Sequence, residues 1–218
     1  MVVKIAIVGT HQSGSTRLFN LCRLIFETQK ERVHSCFEYK HNRDSEFDVI
    51  INKTHDTTVH ELKQKYDKIL LPIRNLLDSA ISNKIRFKQQ STINDVKHNC
   101  KTNIDLFNKF ERIANYIMYY EKYSMYEVRA LCKELEIELT NIQIVNIMKE
   151  LDRMHNSKDI VKIDNHADKL YNKTLLSQQH NTSGGISNKF VKTMSVEDIC
   201  EIINDESIKT FMQNHKYI

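Results

Sequence analysis

The residues best suited to chemistry lie in separate stretches of the chain. Gly9-Thr10-His11-Gln12-Ser13-Gly14-Ser15-Thr16-Arg17 sits between an apolar, β-branched run, Val2 to Val8, and Leu18, Leu21 and Ile25 at the spacing of one helix face. A turn joining a buried strand to a helix N-terminus aims several backbone N–H groups at one point, and the helix dipole adds positive potential there. Anions bind such places. Lys53-Thr54-His55 follows a second apolar run, Phe47 to Asn52. An imidazole can take up a proton and an ammonium can offset negative charge, so this pair suits acid–base work beside an anionic group. Arg74, Asp78 and Ser82 recur at intervals of four and fall along one helix face. An arginine fork beside a serine hydroxyl makes a compact phosphate clamp.

Glycine use adds one more stretch. The chain has 4 glycines: Gly9 and Gly14 in the first loop, Gly184 and Gly185 side by side in a second. Glycine is needed where φ is positive or where the backbone must approach another group closely. The two loops therefore read as two walls of one site.

The spacing Gly9-x4-Gly14 is that of a nucleotide P-loop, but the lysine that would reach the β and γ phosphates of a triphosphate is Ser15, followed by Thr16. Ser-Gly-Ser-Thr without the lysine resembles the loop with which sulfotransferases hold the 5′-phosphosulfate of 3′-phosphoadenosine 5′-phosphosulfate (PAPS). Lys53-Thr54-His55 is similar to the Lys-Thr-His of the cytosolic members. Arg74-Asn75-Leu76-Leu77-Asp78, with Ser82, resembles their Arg-Asn-Pro-x-Asp-x-x-x-Ser, Leu76 standing for the proline. Tyr120-Glu121 after an apolar run looks like the segment that brings a tyrosine near adenine. Residues 180–192 resemble the loop Gly-x-x-Gly-Lys-Trp-Lys that closes over the nucleotide, with Lys189-Phe190 for Lys-Trp, Lys192 for the last lysine and Asn188 in place of a glycine.

The resemblance to the PAPS-dependent sulfotransferases implies a P-loop sulfotransferase fold and the roles of particular residues. Gln12, Ser13, Gly14, Ser15, Thr16 and Arg17 would hold the 5′ end, and Arg74 and Ser82 the 3′-phosphate. Tyr120, Ser183, Gly184 and Gly185 would complete the cofactor site. His55 would be the general base, with Lys53 supporting the leaving charge. The reaction implied is transfer of a sulfuryl group from PAPS to a hydroxyl or amine of a small-molecule, glycan or peptide acceptor, with PAP as product and no metal. Segment 86–115 corresponds to the variable acceptor pocket. Two positions depart from the pattern. Gln12 stands where most members carry lysine or arginine, and Arg17 where cytosolic members stack an aromatic on adenine, although a guanidinium also stacks. These departures keep open a PAPS or PAP binder with weakened catalysis, and a nucleoside or nucleotide kinase with a deviant loop.

Composition narrows the classes further. A chain of 218 residues, 40% hydrophobic and 28% charged, can bury one core, so a single domain over 1–218 is expected. No stretch approaches the roughly 20 apolar residues of a membrane span. With a strand starting directly after Met1 and no room for a leader, a soluble, cytoplasmic protein with no membrane partner is expected. A net charge of +4 without an aromatic-interleaved basic stripe argues against nucleic acid and suits a small polyanion. The 5 cysteines lack a C-x-x-C pair and read as reduced thiols. Asp164, His166 and Asp168 alternate as metal ligands can, yet nothing else converges on them, and no metal site is expected.

The elements that must position these residues follow from hydrophobic periodicity. Strands are expected at Val2 to Val8, Arg32 to Tyr39, Phe47 to Asn52, Tyr66 to Ile73 and Tyr116 to Tyr120. Helices are expected after the first loop to about Lys30, from Arg74 onward and, with Ile104, Phe107, Phe110 and Ala114 on one face, within 86–115. Further helices are expected around Val128 to Leu135, over Asn141 to Met154, and from Ser195 to Ile203 or beyond with Asp198 as the acidic residue at the third helical position. Strands alternating with helices give an α/β fold: a central parallel sheet in three layers, flanked by helices, with its crevice at the carboxyl ends of the strands.

Overall fold

The computed structural model describes residues 2–10, 12–37, 46–54, 58–87, 92–156, 173–176 and 187–218. Its strands are β1 (Val3–Val8), β2 (Val33–Phe37), β3 (Val49–Thr54), β4 (Lys68–Ile73) and β5 (Tyr116–Tyr119). All pair in parallel, in the order β2-β3-β1-β4-β5. The chain leaves β1, builds one side of the sheet through β2 and β3, then crosses to the other side for β4 and β5. That reversal places the switch point of the sheet at the carboxyl end of β1, between β3 and β4.

Successive side chains of a strand point to opposite faces, and both faces of this sheet are covered, so β1 is apolar without interruption after Lys4. Ile5 and Ile7 pack with Leu18, Leu21 and Ile25 of α1 (Ser15–Thr28), Val128 and Leu131 of α5 (Met125–Glu134) and Ile144 and Leu151 of α6 (Asn141–Asn156). Ala6 and Val8 face the opposite layer. There Leu77 of α3 (Leu76–Phe87), Val96 and Phe107 of α4 (Ile93–Glu111), Ile202 of α8 (Val196–Ile203) and Phe211 of α9 (Glu206–Asn214) close the core. Each large side chain buried this completely contributes about 1.5–3 kcal/mol relative to exposure. The layers are therefore held by the same residues that mark the helical faces in the sequence. Two short helices, α2 (Val59–Lys65) and α7 (Phe190–Thr193), complete the nine helices seen among the described residues.

The expected three-layer parallel α/β architecture is the one found; the differences are local. β3 begins at Val49 and includes Lys53 and Thr54, because Lys53 pairs in register with Ile7 and Phe37 and Thr54 with Val8. β5 ends at Tyr119, and Tyr120 opens a single turn of 3₁₀ helix, Tyr120–Lys122. Within segment 86–115 the amphipathic helix starts at Ile93, where Ile93-Asn94-Asp95-Val96 can open a helix. α3 runs on to Phe87, and α4 starts where Thr92 Oγ1 accepts the Asp95 N–H at 3.3 Å and the Asp95 carboxylate accepts the Thr92 N–H at 2.8 Å. α2 was not expected, since only Leu62 of its residues is buried and one position makes no stripe. Ser195 caps α8 by accepting the Asp198 N–H at 3.1 Å, and α9 restarts after Asp205.

The cysteines are free: Cys22, Cys36, Cys100 and Cys132 are buried and Cys200 is exposed. Burial pushes the thiols of Cys36 and Cys100 up to about 12, which leaves them without thiolate character. Among the described residues no helix is long and apolar enough to cross a membrane. Asp164, His166 and Asp168 lie outside the described residues.

Candidate functional site

The loop after β1 is closed by its own groups. Ser13 donates through its N–H and its Oγ to the Thr10 carbonyl, at 3.3 and 2.8 Å. Gln12 and Gly14 both take left-handed backbone, with φ of 61° and 90°. Gly14 then caps α1, its carbonyl accepting the N–H groups of Arg17 at 2.9 Å and Leu18 at 3.2 Å. Glycine is required at both ends of this turn for different reasons. A Cβ on Gly9 would stand 2.7 Å from Ser13 Oγ and 3.0 Å from Pro72 and Ser15 Cβ, so these side chains or the turn would have to shift. A Cβ on Gly14 would lie 2.4 Å from the ring of Tyr120. The space that the missing side chain leaves is used by that ring.

Position 15, where a P-loop carries its lysine, is a buried serine, and the nearby cation comes from the neighbouring strand instead. Lys53 of β3 is only 7% exposed and donates from Nζ to Thr16 Oγ1 at 2.9 Å. Parallel pairing with β1 fixes this reach, since Lys53 stands level with Ile7, two residues before the turn. An ammonium thus lies against the first turn of α1, where the helix N–H groups already point outward.

Across the switch point, β4 ends in a second anion-ready turn. Asn75 caps α3, its Oδ1 accepting from Leu77 N–H at 3.0 Å and Asp78 N–H at 3.3 Å. Arg74, just before the cap, reaches two turns along the helix and donates from Nη1 to Ser82 Oγ at 3.2 Å. Both side chains are buried. Asp78, between them, is fully buried, and its two oxygens accept the backbone N–H groups of Asn188 at 2.6 Å and Phe190 at 3.2 Å. The end of the second loop is therefore docked on the helix that carries Arg74. Asn188 has φ of 60°, and asparagine, whose short side chain tolerates the left-handed region, does here what a glycine would do. Lys189 is pushed below the usual lysine range by burial and by Arg74, and held up by Asp78, so the two cations are neighbours.

Tyr120 joins these halves. The Cζ of Arg74 stands 4.8 Å from the centre of its ring and that of Arg17 5.5 Å, with Gly14 against its edge. Arg17 is aimed by two further groups: Tyr123, whose ring centre is 4.1 Å away, and Asp152 Oδ1 of α6 at 2.8 Å; the imidazole of His155 is pushed down to about 4, first by burial and then by Arg17. Glu121, the next residue, accepts the Asn75 N–H at 3.0 Å and the Tyr217 hydroxyl at 3.1 Å, tying the ends of β4 and β5 to the C-terminal segment. Burial pushes its carboxyl up.

Of the residues singled out from sequence, the structure brings Gln12, Ser13, Gly14, Ser15, Thr16, Arg17, Lys53, Arg74, Ser82 and Tyr120 to the carboxyl ends of β1, β3, β4 and β5. His11, His55, Ser183, Gly184 and Gly185 lie outside the described residues. Tyr123, Asp152, Asp78 as a docking point and Glu121 as a tie were not found by sequence reasoning. Tyr123 follows Tyr120 by three residues and carries a weak signal, while Asp152 meets Arg17 across 135 positions and carries none. The arrangement offers backbone N–H groups and an ammonium at the first turn of α1, and a guanidinium beside Tyr120 with a second ammonium on the segment docked at Asp78. It suits a ligand with anionic groups at both ends.

No protein-family model matches the sequence, and no characterised protein matches it by sequence. Solved structures do match. The crystal structure of a mouse sulfotransferase complexed with PAP superposes with a TM-score of 0.68 at 13% identity, covering 99% of this chain and 88% of that one. Retinol dehydratase matches with a TM-score of 0.64 at 12% identity in its complex with androsterone and the inactive cofactor PAP, covering 96% of this chain and 80% of that one. With retinol and PAP it matches at 0.62 and 13%, covering 96% and 81%. The five-stranded parallel sheet, its helical layers and the strand ends that carry the loop residues, Lys53 and Arg74 together have the sulfotransferase fold.

Proposed function

We propose that the protein is a sulfotransferase that uses PAPS to sulfate a hydroxyl or amine and releases PAP. One observation carries this reading: the lysine-free phosphate turn and the Arg74–Ser82 pair flank the same Tyr120 ring at the switch point of a sulfotransferase fold. The residues present fit such a nucleotide, since both anion-ready turns are buried, built from donors and next to cations. PAPS, when bound, supplies a sulfuryl group on a phosphate leaving group.

The chain's residues divide the remaining tasks. Backbone N–H groups of the turn, with Gln12, Ser13, Gly14, Ser15 and Thr16, hold the 5′ end. Lys53, steadied by Thr16, offsets charge that develops on the leaving side. Arg74 and Ser82 take the 3′-phosphate, with Ser183, Gly184 and Gly185 covering it. Arg17 and Tyr120 flank the base. His55, two residues beyond Lys53, accepts the proton of the acceptor hydroxyl. Segment 86–115 lines the acceptor side.

Titration calorimetry with PAP beside a sulfate-transfer assay, read as the mass of one added sulfate over a panel of hydroxyl and amine acceptors, tests this. Binding of PAP together with transfer supports it. Gln12 favours a second reading, because an amide donates a hydrogen bond without charge: tight PAP binding and no transfer on any acceptor would make the protein a nucleotide binder. Thermal stabilisation by ATP with magnesium but not by PAP would overturn both in favour of a kinase.

A further inference from the structure

The Asp78 carboxylate does more than favour a helix dipole. A carboxylate placed only to complement α3 could sit in water at the first turn, where the effect is small. Asp78 is instead fully buried, a costly position unless hydrogen bonds repay the lost hydration. The repayment is specific. Oδ2 accepts the N–H of Asn188 at 2.6 Å and Oδ1 the N–H of Phe190 at 3.2 Å, from a segment 110 and 112 positions away. Bonds of this kind to an ionised acceptor are the strong ones.

Gripping the N–H groups on either side of Lys189 fixes the backbone of Lys189 itself. The left-handed turn at Asn188 and the packing of Phe190 against the α3 and α4 layer hold the same short segment from both ends. Asp78 lies one turn from Arg74 and one turn from Ser82 on the same helix face. Resting on the nucleotide reading above, the geometry points to Asp78 as a positioning residue: it latches the segment 188–190 so that Lys189 joins Arg74 in receiving the phosphate at this end of the site. The depressed Lys189 ammonium agrees with that placement, since burial and the Arg74 charge are what lower it. Two cations held side by side repel, and an anion between them turns the repulsion into attraction for both.

The sign of a substitution separates this from a simple charge effect. A bare carboxylate near an anion site repels the anion, so removing its charge should tighten binding. A latch predicts the opposite. In Asp78→Asn, PAP affinity measured by calorimetry should fall about tenfold or more. Amide hydrogen exchange at Asn188 and Phe190 should quicken in the same variant. Lys189→Ala should weaken PAP to a similar extent, and the double variant Asp78→Asn/Lys189→Ala should be no weaker than Lys189→Ala alone, because Asp78 acts through Lys189. Unchanged or tighter PAP binding in Asp78→Asn, or full additivity in the double variant, overturns the proposal.

If Asp78→Asn does not fold, amide hydrogen exchange of the wild-type protein asks the same question: the Asn188 and Phe190 N–H groups should be protected in the free protein and more strongly so with PAP bound. Protection at both amides that deepens with PAP supports the latch, and rapid exchange at either, or protection that PAP leaves unchanged, overturns it. Wild-type protein that fails to bind PAP overturns the nucleotide reading itself, and this inference with it, before any variant is compared.

Discussion

The two ends of the candidate site are built in opposite ways. At the loop end, charge is balanced or withheld: Arg17 is paired with Asp152, Gln12 is neutral where most sulfotransferases carry a cation, and His155 is kept neutral by burial and by Arg17. Lys53 reaches the turn from β3, to Thr16. At the clamp end, positive charge is concentrated: Lys189 feels the charge of Arg74, and the one carboxylate between the arginine and Ser82 accepts two backbone N–H groups. The backbone of the loop end is closed within a few residues, at Thr10, Ser13 and Gly14, although Arg17, Lys53 and Tyr120 meet it from or across distant segments. At the clamp end the backbone of a distant segment, 188–190, is itself docked on α3. Under the proposed function, the difference assigns grip on the nucleotide and chemistry on it to different parts of the molecule. Binding should depend mainly on the clamp, and turnover mainly on the loop end with the residues after β3.

The sharpest way to break that division is at His55. His55→Ala should lower turnover by about 10²–10⁴, the range of a positioned general base, with PAP affinity unchanged in calorimetry. A His55→Ala protein that lost PAP binding to the same degree would merge the two ends into one function.

Next comes the clamp. Arg74→Ala removes a buried fork that bonds Ser82 and faces Tyr120, and should weaken PAP by more than about 1.5 kcal/mol, the scale of a hydrogen bond to a charged group. The same affinity in Arg74→Ala and wild type would move the grip to the loop end and undo the assignment of the 3′-phosphate.

This contrast also explains what could be read from sequence. The turn at Gly9 to Gly14 is legible because its sequence signal lies within a few residues: one strand, one helix start and the two glycines. The Arg74 and Ser82 pair is legible for a related reason, since a helix repeats its face at a fixed interval. The docking of Asn188 and Phe190 on Asp78 has no such signal, because the interval between them is set by the path of the chain through α4, β5, α5 and α6. The Glu121 tie from Asn75 to Tyr217 is hidden in the same way. At Gly14 even the local reading was incomplete. A glycine in such a loop suggests room for a ligand, yet the neighbour against it is Tyr120, which arrives from β5. Lys53 shows the reverse: periodicity placed it just past a strand, and pairing on both sides keeps it inside β3, where its reach to Thr16 is fixed.

Gly14 allows a test of how rigid the loop end is. Gly14→Ala must hold a φ of 90° with a Cβ 2.4 Å from the Tyr120 ring, so either the turn or the ring shifts. The expected loss is about 1–3 kcal/mol of stability, the range for a non-glycine residue in such backbone, measured as a lower urea midpoint. Tyr120→Ala in the same background should restore part of it by removing the clash. Asn188→Gly, at the clamp end, should move stability by less than about 0.5 kcal/mol, since asparagine already tolerates its φ of 60°. Equal losses at the two positions would remove the distinction between a locally strained loop and a tertiary latch.

The smallest expected effect concerns His155. Its imidazole is pushed from 6.5 down to about 4, first by burial and then by Arg17, so the folded protein resists a proton that the unfolded chain accepts. Between pH 6.5 and 4 the unfolded state therefore binds more protons at this residue, and the contribution of His155 to stability is complete above 6.5 and declines as pH falls toward 4. Urea midpoints measured across that range should fall less steeply in His155→Gln than in wild type, and the wild-type His155 ring should remain neutral by NMR well below pH 6. A wild-type ring that titrates near its ordinary value would mean that Arg17 does not exclude a second cation, and the loop end would then be as ready to gather positive charge as the clamp.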